Sequence, residues 1–339
     1  MAYYGFHLSR LGIPIVKVLK YNLQSEDRLM KRGRRFFMLC KYTLAVFLVA
    51  CLLGLGIYVA GCHSQGANPP RLGMESMSTV EQQAWQVAAE VVGSGKKAQE
   101  RFVSEVLDLY SKIKDNDLVI FCNSGGWGNK PLSSDYQGQS WLAGIEVKLT
   151  ELGYKPFIVD DIRTGDGLVE HLLEFKEDLT HYQSKAKVLA AKIDFLTQHI
   201  ANLKVIITGQ SNGAAFAGEV ANRLEDNSRV YSIQVGIPFW HGVHKVNNSL
   251  IIDNSGIGSD ALTQRDLLTI IKSNWGKLFI LNHAPAFTPV DWFVSRAVLI
   301  LTSYNFGLGL EAPGHEYMWE YPGVGPVIEA FLVKNFDTH

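Results

Sequence analysis

Cysteine is scarce in this chain, with four in 339 residues. Cys40, Cys51 and Cys62 lie in or beside one apolar run, which leaves Cys122 alone in the rest of the sequence. A disulfide framework is therefore excluded for the main body, whose core has to be held by apolar burial. An overall excess of one charge is also missing, since 32 basic and 33 acidic residues give a net charge of -1. That balance conceals a division. From Met1 to Lys41 there are nine Lys or Arg against Glu26 and Asp27, a surplus of seven, which leaves 23 basic and 31 acidic residues for the remaining 298. An acidic body argues against non-specific nucleic-acid binding. A composition 47% hydrophobic and 19% charged excludes a disordered chain.

No charged residue stands between Lys41 and Arg71. Within that gap Tyr42 to Ala60 reads YTLAVFLVACLLGLGIYVA, nineteen residues that as a helix would rise about 29 Å, one bilayer core. Lys31, Arg32, Arg34, Arg35 and Lys41 precede it, so the positive-inside rule keeps the N-terminus in the cytoplasm and places everything after the segment outside. Val59-Ala60-Gly61-Cys62 resembles the lipobox of bacterial lipoproteins, in which the cysteine is acylated after cleavage. Two readings follow, a retained signal anchor over 42–62 or a lipoprotein lipidated at Cys62, and both tether the body to the outer face of a membrane.

The body divides by pattern. His63 to Met77 is polar with a Pro-Pro pair, the composition of a tether. Ser78-Thr79-Val80-Glu81 has capping-box spacing and opens a helix with Val80, Ala84, Val87, Ala88 and Val91 on one face; a second carries Phe102, Val106, Leu109 and Ile113. The tether and these helices make a unit over 63–116, ahead of a main domain over 117–339. Gly93 to Lys97 (GSGKK) lacks the first glycine and the Ser/Thr of a phosphate loop. From Asp117 onward apolar strands alternate with helices: Leu118 to Cys122, Pro156 to Asp160, Val205 to Thr208, Val230 to Val235 and Leu278 to Leu281. Strands that are apolar throughout imply an α/β fold, a three-layer, doubly wound, mostly parallel sheet covered on both faces. In such sheets the chemistry lies beyond the carboxyl ends of the strands.

One of those ends carries Gly209-Gln210-Ser211-Asn212-Gly213, followed by Ala214-Ala215-Phe216-Ala217-Gly218. A strand that turns sharply into a helix needs small neighbours if a serine is to be raised above the sheet. The chain here resembles the α/β-hydrolase family over most of Asp117 to Phe336. Asn123-Ser124-Gly125-Gly126-Trp127-Gly128 is similar to the family's H-G-G oxyanion loop with Asn123 in place of His. Asp161-Ile162-Arg163-Thr164-Gly165-Asp166-Gly167 looks like its D-x-R-G-x-G turn with one residue added. Gly314-His315 stands before the last helix, where the family carries its histidine.

The resemblance implies Ser211 as nucleophile, His315 as base and then acid, and a carboxylate to hold the imidazole. Asp291 is the expected carboxylate, in the loop after Leu278 to Leu281, with Asp260 and Asp253 as alternatives. His283 is the rival base. The oxyanion hole would be formed by the backbone N–H groups of Gly125 and Asn212. A cap is expected over 241–277, and Trp127, Phe239, Trp240, Phe287 and Trp292 would line an apolar pocket. His241 and His244 form an H-x-x-H with no acidic residue adjacent in sequence, so no metal is expected, and the chemistry needs no cofactor. The expected function is hydrolysis of a small-molecule or lipid ester by a membrane-tethered, extracytoplasmic serine enzyme. An acyltransferase, a peptidase, or a non-catalytic binding or scaffold protein would share these residues.

Overall fold

The computed structural model describes residues 78–270, 272–273 and 311–337. The segment 42–62 with Cys62, the strand expected at Leu278 to Leu281, and His283, Phe287, Asp291 and Trp292 lie outside the described residues. Among the described residues no helix is long and apolar enough to cross a membrane.

Among the described residues five strands form one parallel sheet: β1 (Leu118–Asn123), β2 (Pro156–Asp160), β3 (Lys204–Gln210), β4 (Val230–Val235) and β5 (Ser249–Ile252). Their spatial order is β2-β1-β3-β4-β5. After β2 the chain crosses back over β1, so β1 and β3 flank the switch point, where loops leaving neighbouring strands part to opposite faces and open a crevice. In register, Asn123 stands beside Gly209 and Gln210 beside Val235. Hence the Gly125 loop, the Ser211 turn and Gly236 emerge side by side.

Helices cover both faces. Helices α1 (Thr79–Val92), α2 (Lys96–Ile113), α5 (Gln183–His199) and α6 (Asn212–Arg223) pack Ala88, Phe102, Ile193 and Phe216 against the face bearing Val119, Phe121, Val205 and Ile207. Helices α3 (Tyr136–Glu151) and α7 (Gly325–Phe336) pack Trp141, Ile145, Ile328 and Phe336 on Leu118, Ile120, Ile206 and Ile233. Successive residues of one strand thus feed opposite cores, the physical reason for their unbroken apolar runs. Helix α4 (Leu168–Leu179) lies between β2 and α5 in the chain.

Caps set several of these elements. The Glu81 N–H donates to Ser78 Oγ at 3.2 Å, as the capping spacing predicts, and the Gly138 N–H donates to Asp135 Oδ2 at 3.0 Å to start α3. Helix α6 begins at Asn212, directly after the turn. His181 falls with Tyr182 in a left-handed turn (φ 54° and 57°) closed by the Tyr182 N–H on Glu177 O at 2.7 Å. One expectation differs from the structure: Ser249–Ile252, read as part of a cap, is the parallel strand β5, its short apolar run completed by pairing with Ser232 to Val235.

Candidate active site

Ser211 sits between β3 and α6 with φ 54° and ψ -124°, outside the regions an L-residue normally occupies and costing about 1–3 kcal/mol of local strain. The glycines on either side explain how the turn closes. A Cβ on Gly209 would stand 2.3 Å from Gly213 O, and one on Gly213 would stand 2.2 Å from Asn123 O. Neither position accommodates any other residue without moving backbone. The Ser211 N–H donates to Val235 O at 2.9 Å, which pins the turn to the end of β4. Its hydroxyl makes no capping bond to α6. The ordinary helix-cap role is therefore absent, and the side chain is left for other chemistry.

His315 approaches from the far end of the chain. A Cβ on Gly236, the residue after Val235, would stand 2.8 Å from His315 Cε1. Ser211 and His315 thus both lie at the end of β4. Its Nδ1 lies 2.8 Å from Asp260 Oδ2; because a carboxylate only accepts, Nδ1 carries a proton, and in the neutral ring the lone pair is then on Nε2. Nε2 is buried without a hydrogen-bond partner, so no hydrogen bond joins it to Ser211.

Asp260 is saturated with donors. Oδ2 also accepts the Tyr317 O–H at 2.5 Å, while Oδ1 accepts the N–H groups of Leu262 (2.8 Å) and Thr263 (3.2 Å). Burial pushes the Asp260 carboxyl up, but the bonds from His315, Tyr317 and Leu262 outweigh it and hold the group below the usual carboxylate range. The Tyr317 phenol is pushed up, first by burial and then by its bond to Asp260 and that charge, so it remains a donor.

The expected acid, Asp291, lies outside the described residues. The carboxylate on His315 is Asp260, one of the two alternatives. The signal that would have favoured it is β5: once Ser249–Ile252 is a strand, the loop that follows it contains Asp253 and Asp260. Asp253 is not bonded to His315; its carbonyl accepts the Thr263 hydroxyl at 3.1 Å.

Gly125 lies against the serine, since a Cβ there would be 3.4 Å from Ser211 Cβ. Asn212 is the first residue of α6, where an N–H has no acceptor within the helix. Neither N–H donates to a backbone carbonyl in the described turns and loops. Gln137 on α3 adds a link that the sequence did not reveal. Its Oε1 accepts both Gln210 Nε2 (3.1 Å) and the Tyr317 N–H (2.9 Å).

No family model and no curated protein matches the chain. One solved structure is similar in part. A Trichoderma reesei cutinase in complex with a C11Y4 phosphonate inhibitor matches 55% of this chain and 86% of its own, at 14% identity and a TM-score of 0.32.

The other sequence candidates make contacts of their own. Each histidine of the H-x-x-H has an acidic neighbour from elsewhere in the fold: His241 Nε2 lies 2.9 Å from Asp178 Oδ1, and His244 Nε2 lies 3.3 Å from Glu219 Oε2. Among the described residues no group of three or more His, Cys, Asp or Glu side chains is placed to hold a metal. Trp127 stacks on His171 at 5.4 Å, whereas Phe239 meets Trp240 edge-on at 5.2 Å with Trp240 exposed.

Proposed function

We propose that this chain is a serine hydrolase of carboxylic esters, of the kind found in the α/β-hydrolase family, with Ser211 as nucleophile, His315 as base and Asp260 as the orienting acid. The observation that carries the proposal is the strained turn of Ser211, its hydroxyl unused as a helix cap, beside a histidine whose Nδ1 is held by Asp260 and whose Nε2 has no partner. Ser211 Oγ attacks the ester carbon, its proton passes to His315 Nε2, and the carbonyl electron pair moves onto oxygen. The N–H groups of Gly125 and Asn212 stabilise that oxyanion. As the intermediate collapses the alcohol departs with the proton from Nε2, leaving an acyl group on Ser211. Water then repeats the sequence and releases the acid. Catalytic hydrogen bonds often tighten only once substrate is bound, and the one between Ser211 Oγ and His315 Nε2 is expected to form at that stage.

The apolar segment over 42–62 supports the further reading that this activity is tethered outside the cytoplasm, either by a retained anchor or by a lipidated Cys62; mass spectrometry of residue 62 from membranes distinguishes the two. Exposed Trp240 favours an acyl or lipid ester over a polar one. Acyl transfer to an acceptor other than water, or cleavage of an amide, would use the same residues, and product analysis separates them. A second reading, a non-catalytic binding protein on the same scaffold, draws on the missing Ser211–His315 hydrogen bond. Fluorophosphonate labelling tests the choice: the adduct should map to Ser211 and vanish in Ser211→Ala. A folded wild-type protein that takes no label would sink the enzyme reading.

A further inference from the structure

Arg163, in the loop after β2, is 7% exposed and takes no part in the chemistry above. Its guanidinium donates from Nη1 to Ser124 O at 2.8 Å, from Nη2 to Gly126 O at 3.3 Å, and from Nε to Glu174 Oε1 at 3.0 Å. Glu174 is itself buried and also receives Lys185 Nζ. The rings of Tyr182 and Phe216 flank the cation, 5.6 and 5.4 Å from Cζ. On the loop side the guanidinium lies directly on bare backbone, because a Cβ at Gly128 would stand 2.5 Å from Cζ. The Arg163 N–H completes the attachment by donating to Gly128 O at 2.8 Å.

Burying two ions costs several kcal/mol each before their attraction is counted, so such a pair is a poor device for stability alone. What it does here is fix two carbonyls of the loop at Ser124–Gly128. In a trans peptide the C=O and the following N–H point in opposite directions, and the described chain has no cis bonds. With Ser124 C=O drawn to Arg163, the Gly125 N–H has to face away from it, on a residue that lies against Ser211. A guanidinium on the carbonyl also polarises that amide, which makes its N–H a stronger donor to an anion.

We infer that Arg163 is the positioning residue of the oxyanion loop: its guanidinium, held by Glu174, sets the Gly125 N–H toward the reacting oxygen. The inference rests on the hydrolase reading, and its test separates the two. Arg163→Lys keeps a cation for Glu174 but cannot hold both carbonyls. The double variant Arg163→Gln, Glu174→Gln removes both fully buried charges and leaves only Lys185, whose side chain is 30% exposed, without its carboxylate. Both are assayed on a p-nitrophenyl ester, with kcat counted per fluorophosphonate-labelled site so that any unfolded fraction drops out. Losing one oxyanion donor lowers kcat by about 100- to 1,000-fold, and a mispositioned one should fall near the lower figure, about 100-fold, with KM unchanged. Affinity for a trifluoromethyl ketone, which forms the tetrahedral oxyanion, should weaken in parallel, an effect that loss of general stability would not produce. A wild-type enzyme that hydrolyses while both variants keep wild-type kcat per site overturns the role of Arg163 alone. A rise in KM with kcat unchanged overturns it equally. A wild-type protein that neither labels nor hydrolyses defeats the hydrolase reading instead.

Discussion

Gln210 and Tyr317 meet on one atom: the side-chain amide of the first and the backbone N–H of the second both donate to Gln137 Oε1. Gln210 precedes Ser211 and Tyr317 follows His315 closely, so this oxygen sets the spacing of two loops far apart in the chain. Next to it on α3, Ser140 Oγ accepts the Trp319 N–H at 3.1 Å. The histidine loop is therefore docked on α3 through alternate backbone N–H groups, which matches the one-turn spacing of Gln137 and Ser140.

Gln137→Ala should loosen this docking. Two donors lose their acceptor at a half-buried position, for which a stability loss of about 1 kcal/mol is expected. The larger effect should be on kcat, which steady-state assay should show falling about tenfold as the Ser211–His315 approach becomes less well ordered. Gln137→Glu keeps an acceptor oxygen and should recover most of the rate.

Asp260 and Asp291 make opposite predictions as triad acids. Asp260→Asn should lower kcat by about 10,000-fold, because an amide no longer holds the imidazole in the tautomer that leaves Nε2 free to accept a proton. Asp291→Asn should hydrolyse at the wild-type rate. Rates measured side by side on one ester decide between them, and the reverse result would return the role to Asp291.

Tyr317→Phe probes the acid through pH. Asp260 is held below its unfolded value of about 3.9, so its contribution to stability is present above that pH and lost as pH falls through the lower folded value. Removing the Tyr317 hydroxyl deletes one of the bonds that lower it. The folded value rises toward the unfolded one, the contribution shrinks at neutral pH, and acid unfolding begins at a higher pH. At neutral pH the loss should be about 1.5–3 kcal/mol, as for a hydrogen bond to a charged group. Acid titration followed by circular dichroism checks the direction.

Ser211 carries strain that a glycine would release. At φ 54° and ψ -124° an alanine is as badly placed as the serine, whereas glycine is not. Ser211→Gly should therefore melt above Ser211→Ala, by about 1 kcal/mol in stability, although both lack the hydroxyl. Equal melting temperatures would show that the turn is unstrained.

Much of the scaffold was legible because local rules govern it. The apolar runs at Leu118, Val205 and Val230 had to be strands buried on both faces, with Pro156–Asp160 half-buried at the sheet edge, and Ser78 and the glycines at 209 and 213 marked ends and turns through capping and steric exclusion. Ser211 was legible for the same reason, since its small neighbours are demanded by the turn itself. β5 was not, because four residues carry too little pattern to be told from a loop until β4 lies beside them. Asp260 was ranked behind Asp291 for the same reason, since the place of the carboxylate was counted from another strand.

By itself the sequence determined the alternation of strand and helix, the sharp turn that lifts Ser211, and the charge division about an apolar segment that begins at Tyr42. These depend on neighbours in the chain. Only the tertiary structure decided that Asp260 is the carboxylate on His315, that Gln137 joins the two loops, and that Arg163 and Glu174 hold the carbonyls of the loop at Ser124–Gly128. Each of those is a contact across layers of the fold between common residue types. Hydrogen-bond geometry selects among such residues only after packing has brought their atoms within about 3 Å.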